Sequence, residues 1–172
     1  MPSAGQDIAE HVAQKYGASA EQSAANRDGI RARAAELGFE MAMAPGSRIW
    51  NTFDAHRLIH WAEEVGGLPA AHALKMALFS AHFTDGKNVS APEILCAVAE
   101  DTGLDAQEAA AVLATNHYAA DVREAEERWR RQGVNAVPAI IINDRYIISG
   151  GQPVEKFERA LRSIASEMAA TA

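Results

Sequence analysis

The sequence predicts an α+β chain. A mostly helical part, residues 1–132, is followed by one β-hairpin and a closing amphipathic helix, residues 133–172. Three observations carry this reading. Alanine is abundant, and apolar residues recur at helical spacing through most of the first part, which favours helix. The stretch 133–153, GVNAVPAIIINDRYIISGGQP, sets out a Pro-led apolar run, an Asn143-Asp144 turn, a second apolar run and a glycine corner. Val154, Phe157, Leu161, Ile164 and Met168 then repeat as one helical stripe. With 172 residues the chain can bury a core and fits one domain, or one domain with a large insertion.

Taken in order, residues 8–16 form a short helix stopped by Gly17. Ser19 with Gln22 makes a capping box that opens a helix running to Gly38. Residues 39–43 alternate briefly and read as a short extended segment before Pro45-Gly46. Asn51 or Thr52 caps a helix through Glu64, and Gly66-Gly67 ends it. Pro69 starts another, with Leu74, Leu78 and Phe79 as its buried stripe. Ser90 with Glu93 opens a third, with Pro92 between them, and Asp105 with Glu108 a fourth. Tyr118, Val122, Ala125 and Trp129 mark a fifth, ending at Gly133. The closing helix begins at Pro153, and residues 169–172 are expected to be disordered.

Net charge is −7 with both signs interspersed, so there is no electrostatic footprint for nucleic acid. No basic amphipathic helix suggests a membrane surface, and no apolar run approaches a span. The first residues, MPSAGQDIAEH, have neither the basic start nor the apolar core of a secretory signal, so a cytoplasmic setting is expected. Cys96 is the single cysteine, which excludes an intrachain disulfide, a CxxC pair and a cysteine-rich metal site. In PEILCAVAE it reads as a buried thiol acting as a small hydrophobe, because a reactive thiol needs an exposed, electropositive setting.

Ile140, Ile141 and Ile142 are consecutive, the pattern of an interior strand covered on both faces. Residues 146–148 can pair with one of its edges, and nothing else in the sequence reads as a convincing strand for the other. An open apolar edge is a pairing template and a lone hairpin is marginal. Helices, a second copy of the chain or a preceding segment are the alternatives for covering it. A buried hairpin under helices is the plainer reading.

Several pieces of the chain together resemble the DsbA family of thioredoxin-fold proteins, and most nearly its cytoplasmic FrnE-like branch. They are GQDIAEHVAQKYG, SAANRDGIRARAAELGF, NTFDAHRLIHWA, ALFSAHFTDGKN, NHYAADVREAE and GVNAVPAIIINDRYIISGGQP. The resemblance implies a helical domain inserted into a thioredoxin fold, of which residues 133–172 supply the cis-Pro hairpin and last helix. It implies dithiol–disulfide exchange without a bound cofactor, on a protein or a small thiol or disulfide substrate. The family's strand, CxxC helix and second strand have no counterpart here. An internal methionine of a longer reading frame, or a truncation, is the expected explanation. No catalytic residue is therefore expected in this chain, which is expected to be inactive alone. In the 2-hydroxychromene-2-carboxylate isomerase and kappa-class glutathione transferase relatives, the nucleophile belongs to that same segment. A glutathione-handling activity is accordingly the weakest alternative.

By the same resemblance Val137 and Pro138 are the principal substrate-binding residues, with a cis bond between them. The ordinary reading of Pro138 is strand entry. Asn51, Asp54, His56 and Arg57 of NTFDAHR would lie near the redox site, with Asn51 and His56 as further binding residues. The alternative is helix capping and a surface ion pair. His56 and His60 have the spacing of a zinc pair, but the intervening residues lack the glutamate of a metalloprotease helix. His72, His82 and His117 supply no visible third ligand, so no metal site is expected. Trp61, Trp129 and Tyr146 read as packing, and Arg128, Arg130 and Arg131 beside Glu124, Glu126 and Glu127 as a solvated face. The rival function is a non-catalytic peptide- or partner-binding module. It would use the Pro138 groove and the open strand edge, through which a homo-oligomer is expected.

Overall fold

A computed structural model of the chain describes residues 5–17, 19–42 and 46–171. Met1 and the expected segment's Met43 and Pro45 lie outside the described residues. The chain divides into two compact units, Met1–Val122 and Arg123–Ala172.

In the first unit, β1 (Gln6–Asp7) pairs antiparallel with β2 (Arg48–Ile49). Two-residue strands leave no periodicity in a sequence, which is why this ladder was not expected. Gly5 lies against the Trp50 ring so closely that a Cβ there would stand 2.6 Å from it. Asp7 accepts from the Ala9 and Glu10 amides and opens α1 (Ile8–Tyr16). The Ser19–Gln22 capping box opens α2 (Ala20–Glu36), as its residues require. Residues 39–42 form no strand.

The long α3 (Phe53–Phe79) runs on through an interruption at Gly67, whose φ of 70° and ψ of −174° leave helical geometry. The expected stop is therefore a kink. Of the two expected caps Asn51 serves the start of α3, its Oδ1 accepting from Phe53 N–H, while Thr52 flanks the helix without a side-chain bond. A π turn (Ser80–Thr84) follows directly, and then α4 (Pro92–Asp101) and α5 (Ala106–Ala114). Asp105 caps α5 as expected. The Ser90–Glu93 box does not form: Ala91 flanks α4, and the Ser90 hydroxyl donates to Asn88 Oδ1. Pro92 at the first helical position leaves that start fewer amides to satisfy.

The core lies where α3, α4 and α5 pack. Leu58, Leu74 and Leu95 are fully buried, with Trp61, Val98 and Val112 nearly so. Ala62, Ala99 and Ala109 are also fully buried. Small side chains at these contacts let helix axes approach and let the leucines interdigitate. Truncating one of those leucines to alanine would remove about 2–5 kcal/mol. Phe79, expected in this stripe, is 43 % exposed and lies against the Phe83 ring of the π turn, with ring centres 6.2 Å apart.

The α6 helix (Ala119–Arg131) spans the boundary between the units. In the second unit β3 (Ala139–Ile142) and β4 (Tyr146–Ser149) pair antiparallel, Ile140 opposite Ile148 and Ile142 opposite Tyr146. Asn143 and Asp144 both take φ of 52°, the left-handed region these two residue types tolerate. Among the described residues β3 pairs with β4 alone. Its four residues are half-buried rather than enclosed. The last helix, α7 (Val154–Thr171), starts one residue after Pro153, whose carbonyl accepts from Lys156 and Phe157. Residues 169–171 are helical, not disordered. Ala172 lies outside the described residues.

The α7 stripe is buried only in part. Ile164 is enclosed and Phe157 half-buried, but Val154 is 77 % exposed and Leu161 and Met168 are about half exposed. The division is by face: Val154, Leu161 and Met168 recur two turns apart on one side of the stripe, and Phe157 and Ile164 lie on the other.

Gly67→Ala is expected to lower the unfolding free energy by about 1–3 kcal/mol, because an L side chain rarely adopts that backbone conformation. A Cβ there meets only Pro69 Cδ at 3.6 Å, so strain and not crowding is the cause. Urea denaturation reads the difference, and an unchanged midpoint would mean that the kink relaxes freely.

Candidate functional site

The segment entering β3 is held at its two ends and open between them. Val134 N–H donates to the Trp129 carbonyl at the end of α6, and the Pro138 carbonyl accepts from Gly150 N–H at 2.8 Å. Between these points the Val137–Pro138 peptide is cis, Pro138 is exposed and Val137 is 87 % exposed. An apolar side chain that exposed, on a loop fixed at both ends, can meet a passing chain with little further ordering. At the other, turn end of the hairpin, burial and Glu167 raise the pKa of Tyr146, with Arg145 opposing. Arg145 bridges Glu167 at 3.3 Å, which ties the hairpin turn to α7.

Asn51, Asp54, His56 and Arg57 belong to the first unit and separate into different roles. Asn51 and His56 are exposed, whereas Arg57 is buried. Its guanidinium donates to four acceptors. They are Asp54 Oδ1 at 2.7 Å, the His117 carbonyl at 2.8 Å, and the carbonyls of Val112 and Thr115. Those carbonyls lie at and beyond the end of α5, where a helix leaves acceptors unpaired. Arg57 is thus an internal clamp, not the surface ion pair that the sequence alternative supposed. Nothing in its spacing signals this, since an arginine that caps carbonyls 55–60 residues away looks like any i,i+3 partner of Asp54.

The clamp fixes the loop that carries Tyr118. That residue holds φ of 60°, and its hydroxyl bonds Glu64, which with burial raises its pKa. His117 stacks on its ring at 4.6 Å and His60 lies at 5.2 Å. The structure therefore engages His60 with Tyr118 rather than pairing it with His56. Among the described residues no group of three or more His, Cys, Asp or Glu side chains could hold a metal ion. Asn51 and Asp54 line a polar hollow of about 390 Å³ with Asn88, Ser90 and Glu93.

Cys96 is half-buried against the core. Burial, and secondarily Glu93, push its thiol up, so little thiolate is available at neutral pH. His82, on the π turn, has a buried Nδ1 without a partner. Burial lowers its pKa, partly offset by the Lys87 backbone. Trp61 packs in the core, while Trp129 is half-buried with the Arg128 guanidinium 5.1 Å from its ring centre.

A family model described as the DSBA-like thioredoxin domain matches residues 3–162. Among curated proteins, the uncharacterized protein YwbO of Bacillus subtilis (strain 168) is 29% identical over 133 residues, 77% of this chain. The match covers 64% of YwbO, so the chain spans less than two thirds of that relative. Among solved structures, the crystal structure of a "probable DsbA oxidoreductase" from Streptomyces coelicolor superposes with a TM-score of 0.84 at 36% identity. That likeness covers 94% of this chain and 68% of the other. No helix among the described residues is long and apolar enough to cross a membrane.

Two outcomes are expected. Arg57→Ala should cost about 3–5 kcal/mol, since it strands three main-chain carbonyls at about 1–3 kcal/mol each, while the half-exposed Asp54 carboxylate stays hydrated. Arg57→Lys should still lose about 1–3 kcal/mol, because one ammonium cannot span that fork of acceptors. A lysine variant as stable as the parent would show that charge alone suffices. His82 has a folded-state pKa below its unfolded value, so its neutral form is favoured by folding. Its contribution is present above about pH 6.5 and is lost as pH falls through the lower folded value. Chemical denaturation at pH 7.5 and 5.5 should show a smaller loss of stability for His82→Gln than for the parent.

Proposed function

This chain belongs to the DSBA-like thioredoxin domain family, and from that premise we propose that it serves thiol–disulfide exchange on polypeptide or small thiol substrates. Its own part is substrate contact, not attack. Exchange needs a thiolate that attacks a disulfide sulfur and a second thiol that resolves the mixed disulfide. The observation that carries the reading is the state of Cys96: one thiol, half-buried, with its pKa raised. The attacking and resolving thiols must come from a CxxC-bearing segment that these 172 residues do not contain. Alone, the chain is inactive.

The exposed Val137–Pro138 segment is the principal substrate contact, with its backbone available to an extended chain, and Asn51 and His56 are further contacts. The run Ser149-Gly-Gly-Gln-Pro153 supports the FrnE-like branch of the family, and with it a cytoplasmic setting and no bound cofactor. A division at residue 132 assigns the helical part to substrate enclosure and the hairpin part to the thioredoxin-like unit.

A second reading rests on β3, which is paired on one side only among the described residues. Strand addition at that edge would make the chain a partner-binding module, or join two copies. Neither acidic nor basic residues interrupt 134–142 to discourage such pairing.

In an insulin-reduction assay the 172-residue protein should show no turnover, and Cys96→Ser should behave identically. Turnover should appear when a CxxC-bearing fragment of a family member is added to a monomeric chain. Turnover by the chain alone that vanishes in Cys96→Ser overturns the proposal. A stable homodimer dispersed by Ile141→Lys would favour the second reading.

A further inference from the structure

We propose that the groove between the C-terminal half of α2 and residues 39–42 is a docking site for an extended, basic polypeptide segment. It goes beyond the Val137–Pro138 reading, because the groove lies wholly within the first unit and its operation needs no thiol.

The first observation is a backbone left half-paired. The Glu40 carbonyl accepts from Thr84 Oγ1, and Ala42 N–H donates to the Phe83 carbonyl. Both bonds are made to the π turn, two residues apart along the segment, which is the spacing of one strand edge. In that geometry the N–H and C=O of the intervening Met41 face the opposite way. Among the described residues they have no partner. Met41 lines the groove, whose far wall is α2.

The second observation is room. Ala32 and Ala35, one turn apart on α2, make that wall low, and both are exposed. The open space is about 740 Å³, within the roughly 300–1,000 Å³ that holds a ligand of drug size. A strand-like floor beside a helical wall suits an extended chain, which can pair its own backbone with Met41 and send alternate side chains toward the rim.

The third observation is charge. On the helix rim Arg31 and Asp28 bridge each other at 3.5 Å, which leaves Glu40 on the other lip as the uncompensated charge. The adjacent C-terminus of α2 adds partial negative charge of the same sign. Residues 1–122 as a whole carry sixteen acidic side chains against eight basic ones. A basic segment is therefore steered toward this unit and an acidic one repelled.

The test uses the full 172-residue chain. The probe is a fluorescein-labelled, end-capped heptapeptide of alternating lysine and alanine, followed by fluorescence anisotropy at low salt and by amide chemical shifts. It should bind and shift the Met41 amide and those of residues 32–42. The glutamate–alanine counterpart should bind at least tenfold more weakly. A lysine–alanine peptide N-methylated at alternate amides should lose at least tenfold, because it cannot complete the pairing. Ala35→Trp should fill the groove from an exposed helix position and weaken binding at least tenfold. If circular dichroism shows that variant altered, Glu40→Lys decides: it must weaken the basic peptide and strengthen the acidic one. The inference is overturned by absent binding, by shifts confined to other residues, or by a groove-filling or charge-reversed variant that binds like the parent. Equal binding of the N-methylated peptide overturns it as well.

Discussion

The guanidinium of Arg57 holds three pieces of the first unit in one place. It ties the opening turns of α3, through Asp54, to the end of α5 and to the loop of residues 115–118. A charge buried to that degree is tolerated only where it is paired and its donors are used. Here Asp54 supplies the opposite charge and main-chain carbonyls take the remaining bonds. Those carbonyls would otherwise be stranded at a helix end close to the core. The left-handed Tyr118, its bond to Glu64 and its contacts with His60 and His117 all follow from where this clamp sets the loop. Exposed Asn51 precedes α3, and exposed His56 lies on it next to the clamp.

The second unit is built on a different balance. On its last helix Val154, Leu161 and Met168 share one side and stay in the open, while Phe157 and Ile164 on the other side are covered. The Arg145–Glu167 bridge and the Asn143 amide against Met168 fasten the hairpin turn to this helix. Exposed ion pairs of this kind contribute about 1 kcal/mol or less. Burial of Ile164, and in part of Phe157, therefore contributes more to this unit than the charges do.

Membership of the DSBA-like thioredoxin domain family and the chemistry of the one cysteine raise the question of what this chain contributes to exchange. A thiol useful for exchange has a depressed pKa, from a helix N-terminus or a neighbouring cation. Cys96 has the reverse surroundings, a half-buried position beside Glu93. What the chain presents instead, among the described residues, is main chain that no other segment pairs. Val137 does so on a loop fixed at both ends, Met41 beside a helical wall, and β3 along its edge. Each suits recognition by main-chain pairing, which discriminates little by sequence and is appropriate to unfolded or extended partners.

Elements whose signals are local were legible in the residues alone. The Ser19–Gln22 box, the Asp105 cap, the Asn143-Asp144 turn and the run of three isoleucines each act within a few residues, so composition and spacing fixed them. The thiol chemistry was legible too, because one cysteine cannot form a pair. Only the tertiary structure decided what depends on distant partners. Ser90 bonds Asn88 and leaves the expected box unformed, since a side chain takes whichever acceptor its loop brings near. The two-residue β1–β2 ladder exists because residues some forty positions apart meet, and no pattern of period two can show in so short a run. Arg57 is the clearest instance. A sequence records its charge and its neighbour Asp54, but the carbonyls that use its other donors are assembled only when α5 packs on α3.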